Sequence, residues 1–344
     1  MGRATSEKLT RVHAPATISA SSSKGKGRDT SSSQGGSNSA GPRNPLFNTE
    51  RFGQHILINP GACQGIVDKA NLRSTDKVLE VGPGTGNLTT LILPKCKTLL
   101  AVEADPRMAS DLIKRVQGKP EGRKLEVIVN DVMKQELPPV DVCISNTPYQ
   151  ISSPLVFKLL SQRPLPRVCV LMFQREFALR LVARPGDNLW NRLSANAQLY
   201  AKIDHVMKLS KNSFRPPPNV ESSVVRIAPF DPPPPVRFEE FDGLTRILFT
   251  RRNKIVRANF QAKGVKEMLE SNYKAWRKAK IEKEGGTADM QMDGQEEEEW
   301  NVDDVLEEVL EETGCAEKRA AKMDVDEFLV LLEAFHKRGI HFGG

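Results

Sequence analysis

Glu80-Val81-Gly82-Pro83-Gly84-Thr85-Gly86-Asn87 follows the apolar run Lys77–Val81 and leads into the amphipathic stretch Leu88–Leu93. A glycine-rich turn between a strand and a helix lets the backbone approach a nucleotide-like ligand, because side chains would stand in the way. Gly82 and Gly84 are therefore candidate ligand contacts. A dinucleotide fingerprint wants a further glycine at position 87, where this chain has Asn87, and a Walker-type lysine is also missing. The loop thus argues against NAD, against a cradled pyrophosphate and against nucleotide hydrolysis.

Outward from the loop, Thr98–Val102, Leu125–Asn130, Val140–Asn146 and Val168–Phe173 read as further strands, nearly continuous in Val, Leu and Ile. Such runs belong to strands covered on both faces. Between them lie amphipathic stretches at Pro106–Val116, Pro154–Leu160 and Arg175–Ala183. Strand alternating with helix predicts a parallel, doubly wound sheet of Rossmann-like α/β type. His205–Leu209 and Ser222–Ile227 follow a helix near Arg192–Tyr200 and suit an antiparallel pair at the sheet edge. Ligands of such sheets bind at the carboxyl ends of the strands. Glu103 ends the second strand, where an acceptor for two ribose hydroxyls belongs, and Asp131 ends the third, where it can accept from an adenine amine.

The fourth strand ends in Ser145-Asn146-Thr147-Pro148-Tyr149, the most specific feature of the chain. An adenine amine is a poor nucleophile because its lone pair is delocalised into the ring. Two acceptors that hold both N–H bonds favour a pyramidal nitrogen whose lone pair points at an electrophilic methyl group. The Asn146 carboxamide oxygen and a main-chain carbonyl, that of Thr147 or Pro148, can be those acceptors. Pro148 restricts its predecessor to extended geometry, and Tyr149 can stack on the target base. A sulfonium methyl donor supplies the driving force, so S-adenosylmethionine is the expected cofactor and no metal is needed.

The chain has 344 residues, 39% hydrophobic and 27% charged, as expected of a globular protein with two domains. No apolar run approaches the ~20 residues of a membrane span, and no secretory signal stands at the N-terminus. The five cysteines are scattered without a Cys-x-x-Cys pair, which predicts neither a disulfide framework nor a zinc site. Residues 1–43 are rich in Ser, Gly, Lys and Arg and are expected to be a disordered basic tail. A nuclear address or an RNA-touching arm, and a solvated leader, are equally good readings of it. Residues 44–232 are the expected catalytic domain, ending at the stiff spacer Pro232–Pro235. Residues 236–344 form a smaller helical domain, with helical patterns at Phe238–Phe260 and Val302–Arg338 and an acidic insert about 282–299 expected to be disordered. Net charge is +7, and Gly243–Lys266 holds Arg246, Arg251, Arg252, Lys254 and Arg257 without one acidic residue. That window is the candidate phosphate-binding surface, a solvated helix face being its bland alternative.

Together these residues resemble the ribosomal RNA adenine N6,N6-dimethyltransferase family, the KsgA family of bacteria, and within it the eukaryotic branch. The resemblance runs from about Asn44 to Ala262. It includes Phe52-Gly53-Gln54-His55-Ile56-Leu57, the glycine loop, Glu103, Asp131, Asn146–Tyr149 and Phe214-Arg215-Pro216-Pro217-Pro218-Asn219-Val220. It implies the seven-stranded class I methyltransferase fold, with Gln54, His55 and Leu57 closing over the cofactor and Phe214 clamping a flipped base opposite Tyr149. The family usually has Leu where this chain has Thr147. Phe335-His336-Lys337-Arg338-Gly339-Ile340-His341-Phe342 is similar to the eukaryotic C-terminal tail. The resemblance further implies dimethylation of two adjacent adenines near the 3′ end of 18S ribosomal RNA, within a pre-ribosomal particle in the nucleolus, by a monomer. The rival readings are a methyltransferase for DNA adenine or protein glutamine, and an RNA-binding assembly factor whose catalysis is dispensable.

Overall fold

The computed structural model describes residues 55–283 and 300–343. Gln54, the N-terminal tail and nearly all of the acidic insert lie outside the described residues. In chain order the elements are β1 (Ile56–Leu57), α1 (Pro60–Lys69), β2 (Lys77–Val81), α2 (Thr89–Ile92), β3 (Thr98–Glu103), α3 (Pro106–Val116), β4 (Leu125–Val129) and β5 (Val142–Asn146). There follow α4 (Ser152–Ser161), β6 (Val168–Gln174), α5 (Arg175–Leu181), α6 (Arg192–Tyr200), β7 (Ala201–Leu209), β8 (Phe214–Arg215) and β9 (Ser222–Pro229). The chain ends in α7 (Phe238–Thr250), α8 (Val256–Phe260), α9 (Val265–Lys283), α10 (Val302–Thr313) and α11 (Val325–Lys337). Two compact units result, one from the described part of Met1–Ile151 with Leu209–Glu221, the other from Ser152–Lys208 with the described part of Ser222–Gly344. Seven strands make up the main sheet, four from the first unit and three from the second.

In the first unit the order is β4-β3-β2-β5, and every pair is parallel. Lys77 at the start of β2 and Thr98 at the start of β3 are exposed, and every later residue of both strands is buried. Continuous burial is what the unbroken Val and Leu runs require of strands covered on both faces. The helices begin where the sequence caps them. Asn59 accepts the Ala62 N–H at 3.0 Å ahead of Pro60, and Asp105 accepts the Arg107 N–H at 3.0 Å ahead of Pro106. The register sets the site: Val81 pairs with Val102 on one side and with Ser145 on the other, so Gly82, Glu103 and Asn146 emerge at one rim.

Beside this sheet, β1 pairs antiparallel with β8, Ile56 opposite Arg215 and Leu57 opposite Phe214. Two segments about 160 residues apart in sequence are thereby joined, and neither carries enough alternation to announce a strand.

In the second unit β9 lies between β6 and β7 and runs antiparallel to β6. Helices α7 to α11 carry the C-terminal part. The continuous helix expected over Phe238–Phe260 is broken between Thr250 and Val256. There the backbone bonds elsewhere: Val256 N–H donates to the Lys318 carbonyl at 2.8 Å, and Ala321 N–H to the Arg252 carbonyl at 3.0 Å. The pattern over Val302–Arg338 divides at Gly314, which ends α10 in the left-handed region at φ 61°. A capping box of Asp324 and Glu327 restarts the chain as α11. The 19-residue α9 was not anticipated, because its many Lys and Glu residues mask its apolar stripe. All five cysteines are buried free thiols, and no helix among the described residues is long and apolar enough to cross a membrane.

Gly243 shows how tightly the second unit closes. A Cβ there would stand 2.4 Å from the Phe342 carbonyl oxygen and 2.7 Å from its Cβ. Gly243→Ala should therefore lose about 1–3 kcal/mol by overpacking, read as a lower urea midpoint at unchanged slope.

Candidate active site

Two adjoining cavities open at the strand ends of the first unit and share Gly82, Glu103 and Pro148. His55, Leu57, Gly84, Asn87, Asn146 and Tyr149 also line the first. The second, about 360 Å³, adds Asn130, Asp131 and Gln150, a size within the range of small-ligand pockets.

The glycine loop has left-handed backbone at Gly82, Gly84 and Gly86, with φ of 66°, 56° and 84°. Only glycine adopts this series of conformations without strain. At Gly82 a Cβ would also sit 3.6 Å from the Asn146 carbonyl and from the Pro148 ring, within the cavity itself.

Glu103 is 7% exposed. Its Oε2 accepts the Gly84 N–H at 3.1 Å and its Oε1 the Asp105 N–H at 3.0 Å. The two carboxylate oxygens together have about four acceptor positions, so these bonds leave the group room to accept from ligand hydroxyls. Burial pushes this carboxyl above its usual range, opposed by the N–H groups of Asp105, Gly84 and Ala104. Asp131 spends Oδ1 on the Met133 N–H at 2.9 Å, which closes its own turn.

Asn146 ends β5, and its Nδ2 donates to the His55 carbonyl at 2.8 Å. A carbonyl only accepts, so the contact identifies the carboxamide's nitrogen end and leaves its Oδ1 as the end directed elsewhere. Ser145 and Thr147 stiffen the strand tip: the Thr147 hydroxyl donates to Ser145 Oγ at 3.0 Å, and Ser145 Oγ donates to the Val81 carbonyl at 2.8 Å. The threonine at this position thus bonds within the strand tip. The Pro148 carbonyl accepts the Ile151 N–H at 3.1 Å. Of the two carbonyls left open by the sequence, the Thr147 oxygen is the better placed to receive another donor. Tyr149 and His55 stack with ring centroids 5.9 Å apart, and His55 Nδ1 lies 3.0 Å from the Pro216 carbonyl.

The structure thus gathers His55, Leu57, Gly82, Gly84, Glu103, Asp131, Asn146, Pro148 and Tyr149 around the two cavities. Phe214 lines neither; it is 3% exposed, because alternation in β8 turns it inward and Arg215 outward. The basic window is also divided. Arg252 donates to the Asn188 and Trp190 carbonyls at 2.8 and 2.9 Å, and Arg257 pairs with Glu307 at 2.7 Å. Arg251 donates to the Ala258 carbonyl. Arg246 and Lys254 are exposed.

Asn87 was read in the sequence only as a missing glycine. Its Nδ2 donates to the Leu57 carbonyl at 2.7 Å, and Arg115 donates to Asn87 Oδ1 at 2.6 Å and to the Thr85 carbonyl at 2.7 Å. These bonds tie β1 to the glycine loop, and nothing in local sequence marks them. Glu80 was read only as a loop flank. It is 1% exposed, its Oε2 accepts the Thr89 hydroxyl at 2.6 Å, and its Oε1 has no partner among the described residues.

Residues 47–290 match the family model described as ribosomal RNA adenine dimethylase. The chain belongs to that family. It is an S-adenosylmethionine-dependent ribosomal RNA adenine dimethyltransferase of the eukaryotic branch. It is 56% identical over 301 residues to a dimethyladenosine transferase of Schizosaccharomyces pombe, covering 87% of this chain and 94% of that one. A solved dimethyladenosine transferase from Plasmodium falciparum superposes with a TM-score of 0.76 at 40% identity, over 84% of this chain and all of the other. The fold is also that of the 23S rRNA methyltransferase ErmE, at a TM-score of 0.57 and 23% identity, over 82% of this chain and 99% of that one. The donor set fits the family's cofactor: a buried carboxylate with acceptor capacity left for hydroxyls, beside a loop whose glycines let the backbone come close.

Two expectations follow. Asn87→Ala leaves the Leu57 carbonyl with only the weak Cys63 thiol contact at 3.9 Å and loosens β1, at a cost of about 1–2 kcal/mol. Calorimetry should find S-adenosylhomocysteine bound roughly tenfold more weakly, and an unchanged Kd would refute the strap. Burial pushes the Glu80 carboxyl from its ordinary 4.5 up to about 8. Folded Glu80 therefore holds a proton that the unfolded chain gives up. Its contribution to stability is full below pH 4.5 and is lost as pH rises through about 8. In Glu80→Gln the urea midpoint should fall less than in wild type between roughly pH 4 and pH 8.5, which bracket that window.

Proposed function

We propose that this chain dimethylates the N6 amines of two adjacent adenines near the 3′ end of 18S ribosomal RNA, within a pre-ribosomal particle of the nucleolus. The observation that carries this reading is the Asn146 carboxamide, anchored through Nδ2 on the His55 carbonyl at 2.8 Å. Bound S-adenosylmethionine supplies an electrophilic methyl group on a cationic sulfur. Asn146 Oδ1 and the Thr147 carbonyl accept the two N–H bonds of the target amine, which draws its lone pair out of conjugation. Tyr149 stacks on the base and fixes its plane, while its contact with His55 limits ring rotation. Glu103 holds the ribose hydroxyls of the cofactor, and Asp131 and the β1 residues close around its adenine and methionine ends. Phe214 acts from beneath, supporting Leu57 across the β1–β8 pair. No strongly basic residue is required, because the amine's proton becomes acidic once nitrogen is alkylated.

RNA phosphates are met by exposed Arg246 and Lys254, joined by Arg251 and by Lys274, Lys278 and Lys280 of α9. The run Lys274-Ala275-Trp276-Arg277-Lys278-Ala279-Lys280 lies outside the Gly243–Lys266 window that the sequence offered for this surface. The protein acts as a monomer, and its basic surface supports an accompanying role in precursor processing. The nuclear setting rests on resemblance to the eukaryotic branch.

The test is methyl transfer from labelled cofactor to small-subunit precursor particles, duplex DNA and protein, with product nucleosides identified by mass spectrometry. Labelling confined to DNA or protein removes the assignment. Asn146→Ala should lower kcat by about 10²–10³-fold, the usual cost of deleting one oriented transition-state partner, and should also weaken cofactor binding, because the same carboxamide lines the cofactor cavity and holds the His55 carbonyl.

A further inference from the structure

Away from the cavities at the strand ends, another group of chemistry-bearing side chains converges among the described residues. Glu240 of α7, His336 of α11 and His341 of the tail each offer a ligand atom, and these atoms all lie within 4.8 Å of one another. We propose that Glu240, His336 and His341 form a binding site for a divalent transition metal of the zinc type, which clasps the C-terminal segment onto α7 and α11 and takes no part in methyl transfer.

His336 Nε2 is 3.0 Å from Glu240 Oε2, and His341 Nδ1 is 3.5 Å from Glu240 Oε1. Ligands about 2.0–2.1 Å from a tetrahedral ion stand about 3.3–3.4 Å from each other; the two imidazoles approach the two oxygens of one carboxylate at distances near this, so small side-chain rotations would bring the three ligand atoms around one ion. The second is long for a hydrogen bond, so hydrogen bonding alone explains that imidazole's place poorly. Two imidazoles and a carboxylate suit zinc, which in such three-ligand sites takes water as its fourth partner. The imidazole side chains are 32% and 31% exposed, enough for that water to reach the ion.

The surroundings hold each ligand in place, as outer-shell groups do in metal sites. Glu240 is 5% exposed and its Oε2 accepts the Phe342 N–H at 2.7 Å. Asn272 donates to the His341 carbonyl at 2.8 Å. Gly339 turns the chain back at φ 76°, packed so closely that a Cβ would lie 2.4 Å from the Trp276 ring. That turn brings His341 over His336 with ring centroids 4.6 Å apart. In sequence His336 and His341 stand at a His-x4-His spacing that zinc motifs also use, but Glu240 lies far upstream and no local pattern joins it to them.

The experiment uses the full chain, purified without a histidine tag, stripped with chelator and titrated with zinc chloride by calorimetry, with cobalt absorption as a second readout. One equivalent should bind, the Tm should rise with zinc, and methyl transfer should stay unchanged. His336→Gln keeps a side chain able to bond Glu240 and preserves the fold, which circular dichroism checks. It and His341→Ala should each bind zinc about a hundredfold more weakly or worse. No uptake by the wild-type chain, or uptake undiminished in both variants, overturns the site.

Discussion

A single hydrogen bond gives the catalytic side chain its sense. An amide presents a donor and an acceptor of nearly equal shape, and only a partner of known polarity decides which end points where. The His55 carbonyl is that partner for Asn146. Because it is a main-chain atom, its position depends on β1, and β1 is too short to hold itself. It is held from one side by pairing with β8 and from the other by Asn87, which Arg115 holds in turn. The direction of one carboxamide oxygen therefore rests on four separate stretches of chain.

The parallel sheet supplies the complementary constraint. Adjacent strands in fixed register deliver Gly82, Glu103 and Asn146 to one rim without any of the three contacting the others by sequence proximity. The loop then needs positive φ at three glycines, and the carboxylate beside it must stay ionised while buried. Main-chain N–H groups from Gly84 and Asp105 do the work that water would do outside. A cationic ligand favours the ionised carboxylate further.

The C-terminal helices show why charge along a chain is a poor map of charge on a surface. The window Gly243–Lys266 has no acidic residue, yet Arg257 pairs with Glu307 of α10 and Arg252 is spent on the carbonyls of Asn188 and Trp190. Both guanidinium groups are half-buried and take acceptors from segments remote in sequence. Of that window Arg246, Arg251 and Lys254 stay exposed.

Residue type and spacing alone determined the parallel α/β core, the glycine loop, Glu103 at the second strand end and the Asn146–Tyr149 tip, because each is a local pattern: apolar runs, turn residues, a carboxylate or carboxamide where a strand stops. Resemblance added Leu57, His55 and Phe214. What only the tertiary structure decided is what joins remote segments: the β1–β8 pair, the Asn87 strap, the burial of Phe214, the break between α7 and α8, and the meeting of Glu240 with His336 and His341. These depend on which backbone groups find partners across more than a hundred residues or between helices, and no periodicity in one dimension encodes that pairing.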